Sequence, residues 1–106
     1  MTLKGSIAVA ASSNHSVALG RDGSVWVSGV NYYGQLGLGD TDNRAVFTRV
    51  TSVTGVVAIA AGEGYTLALR GDGTVWGAGN NGYGQLGLGA VTRVSSFTQA
   101  LSLPKV

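Results

Sequence analysis

The sequence predicts an all-β fold built from two four-stranded antiparallel propeller blades. Three observations lead there. Residues 23–39 read GSVWVSGVNYYGQLGLG and residues 73–89 read GTVWGAGNNGYGQLGLG, a near-copy displaced by about 50 residues, which is the period of propeller blades and stacked repeats. Asp-Gly pairs at 22–23 and 72–73 stand between apolar runs, a strong hairpin signal because the glycine supplies the positive φ that the turn needs. The 18 glycines and single proline suit short strands and tight turns, and no stretch carries the apolar period of an amphipathic helix.

Each repeat divides into the same elements. Residues 7–11 (IAVAA) and 57–61 (VAIAA) are the first strands, whose small alanines suit a place where strands from several blades converge. After a short turn come 15–19 (HSVAL) and 65–69 (YTLAL), apolar on both faces, as strands are when covered on both sides. The Asp-Gly turns lead into 25–29 (VWVSG) and 75–79 (VWGAG). A glycine-rich loop and, in the first copy, the polar DTDNR segment follow, and then 46–50 (VFTRV) and 95–100 (SSFTQA) as fourth, edge-type strands. The repeats divide the chain at 1–55 and 56–106. The start (TLKG) and the end (SLPK) fall at the same phase of the repeat as 52–55 (SVTG), as in a segment cut at a repeat boundary by nature or by an engineer.

Composition narrows the function. Charged residues are 11% against a norm of about 25%, and hydrophobic residues reach 44%, a composition far from disorder. The net charge of +2 comes from scattered cations with no basic stripe, so no nucleic-acid partner is expected. With no cysteine there is neither a disulfide framework nor a thiolate metal site. No apolar run approaches the ~18 residues of a membrane helix and the first residues lack signal-peptide regions, so a soluble chain of unspecified compartment is expected.

The candidate sites read mostly as structure. The 34–39 run has GxxGxG spacing and leads into a polar loop, whereas a phosphate-binding loop opens a helix, so its glycines serve turns around a packed leucine. Asp40, Asp42 and Asn43 imitate the start of a calcium loop, but the second copy has Ala90, Thr92 and Arg93 and no downstream glutamate completes the first. His15 is the single histidine, with no nucleophile and acid around it, so no catalytic residue, cofactor or metal is expected. The Asn14-His15-Ser16 sequon lies in a tight turn. Trp26 and Trp76, mid-strand, are expected to be buried between blades. Tyr32, Tyr33 and Tyr83 lie in loops and, with Arg44 and Arg93, form the candidate contact surface, since rigid amphipathic rings bind at low entropic cost.

The chain resembles the regulator-of-chromosome-condensation repeat. The resemblance is carried by Ala60, Ala61 and Gly62, by His15-Ser16-Val17-Ala18-Leu19, and by Asp22, Gly23, Trp26, Gly29, Gly34, Gln35, Leu36, Gly37 and Gly39. In the second copy Asp72, Gly73, Trp76, Gly79, Gly84, Gln85, Leu86, Gly87 and Gly89 repeat the signature. It departs from the pattern at Tyr65, where histidine is usual, at Ser28 and Ala78, where a second tryptophan often stands, and in the late proline, shifted to Pro104. The resemblance implies a propeller ring of seven blades, whereas this chain has two repeats. The founding member is an exchange factor for a small nuclear GTPase and uses a complete ring, inserted loops and a basic tail; other members are protein-binding modules.

From this follows the expectation of a non-enzymatic module whose copies complete a ring, six blades from a trimer or eight from a tetramer, and which presents loops to an unknown protein partner. A carbohydrate-binding propeller using Tyr33 and Tyr83 is the alternative, and regulation of a small GTPase a third.

Overall fold

The computed structural model describes residues 6–89 and 91–100; the matched ends of the chain, Pro104 and Ala90 lie outside them. The described residues form eight strands: β1 (Ser6–Ala11), β2 (His15–Gly20), β3 (Val25–Gly29), β4 (Arg44–Arg49), β5 (Val56–Gly62), β6 (Tyr65–Arg70), β7 (Val75–Asn80) and β8 (Arg93–Gln99). They make two antiparallel sheets, β1-β2-β3-β4 and β5-β6-β7-β8, each a meander. The all-β expectation holds, and no helix is present among the described residues that could cross a membrane.

Registers repeat between sheets. Leu19 faces Val25 and His15 faces Gly29 across β2-β3; Leu69 faces Val75 and Tyr65 faces Gly79 across β6-β7. Each β2-β3 type turn is closed by the glycine of the Asp-Gly pair, whose N–H reaches the carbonyl three residues back: Gly23 to Gly20 at 3.1 Å and Gly73 to Arg70 at 3.0 Å. The fourth strands begin earlier than the sequence suggests. Gly29 pairs with Arg44 and Asn80 with Arg93, so the ladder continues into polar residues that show no alternation.

One core lies between the sheets. Val17, Leu19, Val25 and Val27 of the first sheet meet Ala68, Ala78 and Phe97 of the second, with Leu36 enclosed between them. The connector after β4 adds Val50 and Val53 on the way to β5, whose first residue, Val56, is also buried. β5 packs against both β1 and β2. The alanine-rich first strands are not crowded here: Val9 is 69% exposed and Val57 56%. Trp26 and Trp76 are half-buried rather than enclosed, each indole N–H donating to the hydroxyl two residues before it, Ser24 and Thr74. Arg70 lies over the Trp76 ring at 5.5 Å.

Candidate functional site

The element that joins the sheets is the 34–39 loop, held in shape from inside by Asn31. Its buried side chain accepts from the Leu36 N–H at 3.0 Å and donates to the carbonyls of Asp40 and Asp42. Gly34, Gly37 and Gly39 take φ values of 81°, 69° and 87°, a region that L side chains rarely enter. So folded, the loop lies on the second sheet: Gly39 N–H donates to the Ser95 carbonyl at 2.8 Å, Leu38 bridges Ser96, and a Cβ on Gly37 would lie 2.4 Å from the Phe97 ring. Ser52 clamps the arrangement, donating to the Gly37 carbonyl and accepting from the Phe97 N–H.

A polar relay crosses the same junction. Thr66 donates to the Gln35 carbonyl at 2.7 Å, so its oxygen accepts from His15 Nε2 at 2.8 Å, and His15 Nδ1 accepts from Ser12 at 2.9 Å. This pattern needs the neutral imidazole, and burial holds the His15 pKa below its ordinary 6.5 despite the Tyr65 backbone and Glu63. The unfolded histidine therefore carries the extra proton between the folded pKa and 6.5. Stability is expected to be full above about pH 6.5 and to fall as pH drops through the folded pKa, and His15→Gln should flatten that slope. Thermal midpoints measured in steps from pH 7.5 to 5 check it; a midpoint that climbs on acidification, or an unchanged slope in the variant, counts against the neutral relay.

The sequence-derived contact residues part company. Tyr32 and Tyr33 stand edge to face with centroids 5.0 Å apart, and Arg93 from β8 donates to the Tyr32 carbonyl at 3.3 Å. The two rings line the mouth of the junction, with Arg93 outside that lining. Tyr83 is 95% exposed, and Arg44, the first residue of β4, is held to the preceding loop by Asp40 at 2.9 Å, an ion pair that also keeps the Asp40 carboxyl below its usual pKa. That pairing occupies one carboxylate of the calcium-like segment, and no metal-holding cluster occurs among the described residues. Asn14, Glu63, Gly64 and Asn80 also line the junction's mouth. No local pattern gathers them, because they come from three separate segments, the turn before β2, the turn before β6 and the end of β7.

The Regulator of chromosome condensation (RCC1) repeat matches residues 22–69 and 72–105, and a second description of the same repeat matches 7–35 and 56–85. Among curated proteins none matches the chain. The fold is similar to that of human WBSCR16, with TM-score 0.84 and 29% identity over 95% of this chain and 27% of that one. It is also similar to yeast RCC1 (Prp20) crystallised with Kap60, with TM-score 0.81 and 26% identity over 95% and 27%. A second structure, of Prp20p from Saccharomyces cerevisiae, described with its binding properties to Gsp1p and histones, gives 0.80 and 26% over 95% and 28%. This chain thus spans little more than a quarter of each.

Proposed function

Because the chain belongs to the RCC1 repeat family, we propose that it is a non-enzymatic protein-interaction scaffold whose copies, each two blades (1–55 and 56–106), close into a β-propeller. The two Prp20 structures concern a protein that binds Kap60, Gsp1p and histones, which supports a protein-binding role for the fold.

The observation that carries self-assembly is that the junction inside the chain is half-repeated, unfilled, at each end. Gly34 presses against Ser95, whereas its counterpart Gly84 has no atom within 4 Å among the described residues. Gln35 is buried and Gln85 half-open; Val17, Leu19 and Val25 are sealed, while Leu67, Leu69 and Val75 line an open apolar groove. At the other end, Val9 and Phe47 occupy the positions of Ile59 and Phe97, which pack into the core, yet Val9 is bare and Phe47 partly open. One end therefore offers what the other lacks. Head-to-tail contacts of this kind close into rings when the rotation allows, and whole chains give six blades from three copies or eight from four.

Light scattering coupled to size exclusion over a concentration series is the test. A mass of three or four chains is expected. A cooperatively folded single chain at every concentration overturns the assembly.

A further inference from the structure

The mouth of the junction opens into a pocket of about 340 Å³, within the usual size of small-ligand sites. Tyr32 and Tyr33 form one wall, and the Tyr33 ring is fixed over Gly64, where a Cβ would lie 2.8 Å from Cδ2. Asn14, Gln35 and Asn80 supply amide groups, and Glu63 supplies the single formal charge in the lining. Ser13 hydroxyl donates to the Glu63 carboxylate. Among the described residues no cation pairs with it.

An exposed carboxylate beside two tyrosine rings is chemistry for a cation. A guanidinium gains most there, because its plane stacks on an aromatic face while its fork meets the carboxylate. We propose that this pocket receives a basic side chain, arginine in preference to lysine, from a partner protein. The proposal names the partner chemistry for the scaffold reading, but the pocket lies wholly within one chain and does not need ring closure. The site does not recur within the chain. Ser13 stands at the position equivalent to Glu63 and Gly82 at that of Tyr32, so a junction between copies would lack both the charge and one ring. A closed ring would then display one basic-residue pocket per chain, all on one face, and would favour partners with repeated arginines through avidity.

The test is an amide-resonance titration of the intact chain with three blocked tripeptides, Gly-Arg-Gly, Gly-Lys-Gly and Gly-Gln-Gly, and with a panel of methyl glycosides. The arginine peptide is expected to shift the Tyr32, Tyr33 and Glu63 resonances, more tightly than the lysine peptide, and to weaken with added salt. Glu63→Gln, which keeps the acceptor for Ser13, should weaken the arginine peptide at least ~10-fold, the scale of losing a charge-assisted bond, without moving the thermal midpoint. Equal binding of the glutamine peptide, saturable glycoside binding at these resonances, no binding of the arginine peptide, or unchanged affinity in Glu63→Gln overturns the proposal. Solution mass read on the same samples separates the two ideas: a monomer that binds the arginine peptide sinks the ring alone, and a ring that ignores it sinks the pocket alone.

Discussion

Gly79→Ala is expected to leave little folded protein. Gly79 is the penultimate residue of the third strand of the second sheet, at φ 110°. A Cβ there would lie 2.3 Å from the Gly64 carbonyl oxygen, 2.9 Å from Tyr65 Cα and 3.0 Å from Gln35 Cα. All three are backbone atoms, from the Gly64-Tyr65 corner and the 34–39 loop, so no side-chain rotation relieves the clash. Strain at such a φ costs about 1–3 kcal/mol and overpacking about 1–3 more, which together approach the lower end of the ~5–15 kcal/mol that holds a typical domain. Gly71→Ala is the control. It has no positive φ, and its Cβ would meet only Val57 and the Gly55 carbonyl, at 3.6 and 3.8 Å, so a change within about 0.5 kcal/mol is expected. Denaturant unfolding at one fixed protein concentration compares the two, since any association shifts apparent stability. Equal midpoints would refute the close-packed corner as the reason for glycine at 79.

That corner marks how far the sequence alone could be read. The repeat revealed the strands, because the apolar runs at 15–19 and 25–29 recur at 65–69 and 75–79, and hairpins follow from Asp22-Gly23 and Asp72-Gly73. The 34–39 glycines read as turns around a packed leucine, and Leu36 is fully buried. What the repeat could not convey is the difference between its copies. GQLGLG is the same string twice, yet the first copy is seated on β7 and β8 and the second has no blade to sit on. Environment, not local sequence, separates them. The early starts of β4 and β8 were hidden for a similar reason, as the pairs that set them, Gly29 with Arg44 and Asn80 with Arg93, are fixed by the neighbouring strand. The pocket was least legible of all. It lies where the repeats disagree, at Glu63 against Ser13 and Tyr32 against Gly82, and those are the positions that a search for self-similarity discards.

The two copies of the loop also supply the most discriminating pair of substitutions. Gly34 and Gly84 have nearly the same backbone, φ 81° and 75°, so alanine carries the same conformational penalty, about 1–3 kcal/mol, at either place. Only their surroundings differ. A Cβ on Gly34 would stand 2.6 Å from Ser95 Cα and 3.0 Å from the Val94 carbonyl oxygen, whereas on Gly84 it would meet nothing among the described residues. If chains stay single, Gly84→Ala must be the milder change, by roughly the 1–3 kcal/mol of overpacking that Gly34→Ala adds. If copies join head to tail as proposed, Gly84 of one copy takes the place of Gly34, and Ala45 of the next copy takes the place of Ser95. Gly84→Ala is then expected to keep its strand signature by circular dichroism while its solution mass falls from three or four chains to one, and Gly34→Ala is expected to lower the unfolding midpoint of whatever species remains. A Gly84→Ala protein that keeps its full assembled mass would mean that copies meet through some other surface, because no backbone this close could admit the methyl group.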